Sequence, residues 1–127
     1  MKEKMIRCLK VEPGKAPEAC ELINELAALQ EAVGGLIELL DMEEIGNGEY
    51  VTMLCNEEGK LNGMEGNRRW QNDIICGTFY VMASNAEGEL VSLPDCYMEK
   101  YANHFHEPES FDASEVSNAI CLRFIAD

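Results

Sequence analysis

The chain has 127 residues, with ten Lys+Arg against 24 Asp+Glu, a formal net charge of −14. That length suits one domain with one core, and 46% hydrophobic residues is ordinary for a globular protein and too high for a disordered one. A field of this sign repels nucleic-acid phosphates and anionic membrane surfaces, so direct nucleic-acid binding is disfavoured and basic partners or cations are favoured.

In chain order, residues 4–11 alternate as a strand, with Met5, Arg7, Leu9 and Val11 on one face and Ile6 and Cys8 on the other. Pro13-Gly14 supplies a turn, Pro setting φ and Gly allowing a positive φ after it. The next segment has two readings. Helical propensity and the spacing of Leu22, Leu26, Leu29 and Val33 favour one helix over 17–33. The alternative is a return strand over 18–22, with Asn24 capping a helix over 25–33. Gly34-Gly35 ends the helix on either reading.

Residues 36–42 read as a strand apolar enough to be buried on both faces, and 43–49, with Gly46-Asn47-Gly48, as a turn. A strand over 50–55 follows, antiparallel to the preceding one because the link is short. A polar, glycine-punctuated loop is expected over 56–72. The run 73–82 is the longest strand candidate, broken at Gly77 by a bulge or a close backbone approach. Asn85-Ala86-Glu87-Gly88 turns the chain into a short strand over 89–92. Pro94 opens a helix to His104 with Tyr97, Met98 and Tyr101 inward, 105–118 is mostly loop, and 119–125 alternates as a closing strand.

These elements predict an α+β domain: a mostly antiparallel, twisted sheet carrying the 25–33 helix on one face, with the 94–104 helix beside it. The six cysteines form no Cys-x-x-Cys pair, and Cys8, Cys55, Cys76 and Cys121 lie in apolar runs, where a free thiol behaves as a small hydrophobe. The N-terminal residues lack the apolar stretch of a signal peptide, and no run approaches the ~20 residues of a membrane span. Reduced thiols in the cytoplasm follow as the expectation.

Candidate binding residues gather in the 56–69 loop and at the start of the strand after it: Asn56, Glu57, Glu58, Lys60, Asn67, Arg68 and Asp73. A loop held by a rigid strand pair is where binding groups collect. The plainest role for the 56–60 segment is a tight turn in which Asn56 bonds its own backbone and the charges are solvated. Asn67-Arg68-Arg69 offers a guanidinium fork for a phosphate or carboxylate, or an internal ion pair from Arg68 to Glu57, Glu58 or Asp73. Acid–base catalysis by Glu57 or Glu58 requires one of them to be desolvated. His104, His106 and Cys96 are too few ligands for a zinc site, and glycine patterns for nucleotides are absent, so no metal and no cofactor is expected.

The segments Leu9-Lys10-Val11-Glu12-Pro13-Gly14-Lys15, Leu29-Gln30-Glu31-Ala32-Val33-Gly34-Gly35, Cys55-Asn56-Glu57-Glu58-Gly59-Lys60-Leu61, Asn67-Arg68 and Asp73-Ile74-Ile75-Cys76-Gly77-Thr78-Phe79 resemble a domain family without an assigned function, common in phages, conjugative elements and Firmicutes. The resemblance covers about residues 4–105 and leaves 107–127 as an extension. It implies an accessory protein of mobile elements, carries no activity with it, and favours the return-strand reading of 18–22. The leading expectation is therefore a non-enzymatic protein that binds a protein or small-molecule partner through the 56–69 loop. The alternatives are an acidic decoy of a basic nucleic-acid-binding or defence protein, and a small enzyme using Glu57 or Glu58. No sequence feature sets an oligomeric state.

Overall fold

A computed structural model describes residues 3–112 and 114–116. Eight strands and two helices follow in the order β1 (Met5–Val11), β2 (Glu18–Ile23), α1 (Leu26–Val33), β3 (Ile37–Gly46), β4 (Glu49–Asn56), β5 (Gly66–Trp70), β6 (Asp73–Cys76), β7 (Phe79–Ser84), β8 (Leu90–Val91) and α2 (Asp95–His104). Residues 114–116 add one helical turn. The expected α+β class, mostly antiparallel, is the one observed. The main sheet runs β2-β1-β7-β4-β3 with β8 paired to β7, and β5 and β6 form a separate two-stranded sheet. No helix among the described residues is long and apolar enough to cross a membrane.

Alternation along the central strands gives the main sheet two apolar faces. Leu9, Val11, Val51, Met53, Phe79 and Val81 point to one side, where Leu93, Met98, Tyr101 and Phe105 cover them. Ile6, Cys8, Leu54, Tyr80 and Met82 point to the other, against Leu29 and Val33 of α1. The two helices therefore lie on opposite faces, not side by side as expected. With both faces covered, the central strands lose the polar positions that would have shown which side faces water.

The return-strand reading of 18–22 is correct and the single helix over 17–33 is not. β2 pairs with β1 from Met5↔Ile23 to Lys10↔Glu18, so tertiary pairing overrides helical propensity. Asn24 does not cap α1. It is buried, and its Nδ2 donates to the carbonyls of Glu3 (2.9 Å) and Leu90 (3.3 Å). Gly34 does end α1, at φ 79°, with its N–H on the Gln30 carbonyl at 2.9 Å.

β3 is an edge strand, not one buried on both faces, and Leu39 within it is 46% exposed. The expected turn over 43–49 shrinks to Asn47-Gly48. Both residues have positive φ (54° and 79°), and the primed turn they form lets the strands run on to Gly46 and Glu49. The expected strand over 73–82 is two strands in different sheets. The chain changes sheet at Gly77, where φ is 79° and a Cβ would lie 2.8 Å from Met64 Sδ, so the expected close approach is present. The 56–72 loop contains β5, which turns into β6 through Gln71 at a positive φ of 55°, a conformation that no Asn-Gly or Gly signal announces. Past α2 the chain crosses the small sheet, where Phe111 and Val116 pack on Ile74 and Cys76. The closing strand expected over 119–125 lies outside the described residues.

Candidate functional site

The predicted site divides into an internal clamp and an exposed turn. Asn67 and Arg68 belong to the clamp, at 0% and 1% exposure. Asn67 Nδ2 donates to the carbonyls of Val11 (2.8 Å) and Gly77 (2.9 Å). Arg68 directs its donors at backbone oxygens: Nε and Nη2 to Phe105 (3.0 and 2.9 Å), Nη2 also to Lys15 (2.6 Å), and Nη1 to Asn67 (3.2 Å). Nη1 further meets Asn67 Oδ1 at 2.8 Å.

This arrangement corrects both sequence readings of Arg68. It is neither a fork open to an anionic ligand nor an ion pair with Glu57, Glu58 or Asp73. Carbonyl dipoles from the β1–β2 connection and the end of α2 surround the charge, while burial lowers the guanidinium's pKa from its ordinary range. The pair stitches the β5–β6 sheet to the main sheet and to α2. Fixed strong donors suit this work because two separate sheets share no backbone ladder.

Asn56 also faces inward. It is 6% exposed, its Nδ2 donates to the Val33 carbonyl at the end of α1 (3.1 Å), and its Oδ1 accepts the Glu58 N–H (2.8 Å). The expected turn is thus present, with Asn56 linking it to the helix. From there residues 57–63 coil tightly. The Asn62 N–H reaches the Glu58 carbonyl (2.8 Å) and the Met64 N–H the Gly59 carbonyl (3.0 Å). The Glu57 N–H bonds the Leu36 carbonyl at 2.9 Å. Gly59 presses on β6, where a Cβ would sit 2.8 Å from the Cys76 carbonyl oxygen. Lys60, its side chain 7% exposed, forms an ion pair with Asp73, whose Oδ1 also accepts the Ile74 N–H.

This framework holds Glu57, Glu58, Leu61, Asn62 and Gly63 out to solvent, with Leu61 66% exposed. Leu36, joined through its backbone to Glu57, is 53% exposed. Glu57 and Glu58 are both solvent-exposed. The structure therefore brings Asn56, Glu57, Glu58, Lys60 and Asp73 together around one turn and withdraws Asn67 and Arg68 into the interior.

Arg69 and His104, read in the sequence as part of a guanidinium fork and as an insufficient zinc ligand, complete the surroundings together with Leu61. Arg69, facing outward on β5, lies 3.8 Å from Glu109 and 3.9 Å from Glu115, and its guanidinium sits 5.0 Å from the Phe111 ring centroid. His104 packs edge-on against Trp70 (5.8 Å) and Phe105 (4.7 Å), which gives it a packing role. Leu61 carried a readable signal, an apolar residue inside a polar turn, that no periodicity could use.

No curated protein and no solved structure matches the chain. The family model described as "Domain of unknown function (DUF3846)" matches residues 6–106, a span that takes in both sheets, both helices and the 57–63 turn, and the chain belongs to that family.

Proposed function

We propose that this chain is a non-enzymatic, cytoplasmic accessory protein of phage or mobile-element type that engages a basic protein partner through the 57–63 turn. One observation carries the reading. Leu61 stands 66% exposed on a turn tied down at its start by buried Asn56 and at its middle by the Lys60–Asp73 pair. An apolar side chain presented from a rigid base loses little conformational entropy when a partner covers it. The flanking Glu57 and Glu58 carboxylates and the charge of −14 suit a basic surface. An anionic small ligand is less well served, because Arg68 is spent on backbone carbonyls. The decoy alternative needs carboxylates in paired rows. Exposed acids instead occur on β2, α1, β3, the 57–63 turn and α2, across both faces and both sheet edges, which favours the local turn.

The test compares the wild-type chain with a Glu57→Lys/Glu58→Lys/Leu61→Ser variant as baits in the native host, after matching their melting temperatures. A basic protein retained by the wild type and reduced by about tenfold or more on the variant supports the reading, since a central anchor with charged neighbours is worth upwards of 1.4 kcal/mol. Equal retention by both baits, or no protein enriched on the wild type, overturns it.

A further inference from the structure

The register of β1 on β2 places Cys8 opposite Cys20, with their sulfurs 3.5 Å apart. In sequence the two are twelve residues apart and match no thiol motif. Residues directly opposed in an antiparallel pair have Cα atoms about 4.5–5.5 Å apart. That separation lies within the range a disulfide spans. Cys8 is fully buried under α1, whereas Cys20 is partly exposed on the outer strand of the sheet. The other described cysteines are placed differently: Cys55 and Cys76 are buried, and Cys96 is exposed on α2.

We propose that Cys8 and Cys20 form a reactive dithiol that a hydroperoxide oxidises to a disulfide, fastening the edge strand β2 to β1. Cys20, the partly exposed member of the pair, is the attacking sulfur, since a peroxide cannot reach buried Cys8 first. The hydrogen bond from Cys8 and then the charge of Lys10 draw the Cys20 pKa below the ordinary thiol value, against burial and the carboxylates of Glu18 and Glu21. Cys8 moves the opposite way, through its bond to Cys20 and its burial. The Cys20 thiolate attacks one peroxide oxygen, the O–O bond breaks, and the departing oxygen leaves as water or an alcohol after protonation, so that Cys20 becomes a sulfenic acid. The Cys8 sulfur then displaces that hydroxyl, which leaves as water with the Cys8 proton. Two thiols and one peroxide thus become one disulfide, one water and one water or alcohol, with two electrons passing from sulfur to oxygen.

The test uses the full chain and hydrogen peroxide in slight excess, followed by alkylation and tryptic peptide mapping. Cleavage at Lys10 and Lys15 separates Cys8 from Cys20 unless they are linked, and a second digestion with Glu-C, cutting after Glu21, separates Cys20 from Cys55, which share the tryptic peptide 16–60. The expected result is a linked Cys8–Cys20 peptide lighter by two hydrogens and released by dithiothreitol. Cys8→Ser should lose that product and leave Cys20 as a sulfenic acid captured by dimedone, and Cys20→Ser should slow oxidation of Cys8 by more than about tenfold. Both thiols remaining alkylatable in the wild type while Cys96 oxidises would overturn the proposal. So would peptides linking Cys20 chiefly to Cys96. Because the wild-type map alone decides the linkage, a variant that fails to fold does not spoil the test.

Discussion

Replacing Arg68 with Ala tests whether the clamp between the two sheets is structural. The substitution removes every donor directed at the Phe105 and Lys15 carbonyls and at both oxygens of Asn67. A buried acceptor left without a donor costs about 1–3 kcal/mol, which applies in full to the Phe105 carbonyl and only in part to that of exposed Lys15, so the two together account for about 2–4 kcal/mol. Relief from burying a guanidinium offsets part of that, and the volume vacated by the side chain adds to it, leaving a net loss of about 3 kcal/mol. Against a typical stability of about 5–15 kcal/mol this is a severe change. The chain's one tryptophan is a convenient reporter, since Trp70 lies two residues from Arg68 and its ring centroid is 6.1 Å from that of Phe105, whose carbonyl Arg68 holds. With a urea slope of about 2 kcal/mol per molar, the midpoint followed by Trp70 fluorescence should fall by about 1.5 M. Arg68→Lys should recover less than half of the loss, because one ammonium cannot reproduce the planar fork that reaches both carbonyls. A midpoint within about 0.3 M of wild type for Arg68→Ala would refute the reasoning, and the outward fork would then have to be reconsidered.

Two further variants probe the base of the turn and the far side of the sheet. Gly59→Ala places a methyl 2.8 Å from the Cys76 carbonyl oxygen, a backbone atom that cannot swing aside, and should lower stability by about 1–3 kcal/mol in the same urea assay. Glu43→Gln acts through pH. The Lys100 ammonium (2.6 Å) and the Tyr101 hydroxyl (2.7 Å) bond the Glu43 carboxylate and hold its pKa below the ordinary 4.5. A carboxyl group lowered on folding contributes stability that is fully present above 4.5 and disappears as pH falls through the folded value. The melting-temperature gap between wild type and Glu43→Gln should therefore be largest near neutrality and narrow as pH falls below 4.5, and a gap unchanged as the medium is acidified would contradict the assignment.

Local chemistry made much of this fold readable. Asn47-Gly48 announces a tight hairpin, Gly34 a helix end, and Pro94 a helix start, because each depends on the φ its own side chain permits. The turn around Asn56 was legible for the same reason, since Asn56 Oδ1 meets the N–H of Glu58 two residues on. The boundary at Gly77 was only half legible: a break could be read, but not that the chain passes there from one sheet to another. Propensity misread residues 17–23 because β1 supplies a strand partner that a helix scale does not include.

By itself, then, the sequence determined where the backbone turns, which runs are apolar, and that the molecule is strongly acidic. Tertiary structure alone decided which side of the sheet each helix covers, that Arg68 serves the carbonyls of Lys15 and Phe105, and that Cys8 meets Cys20. Those contacts join residues 53, 37 and 12 positions apart. A side chain's burial and partners depend on what other segments deliver to it, and no window along the chain contains that information.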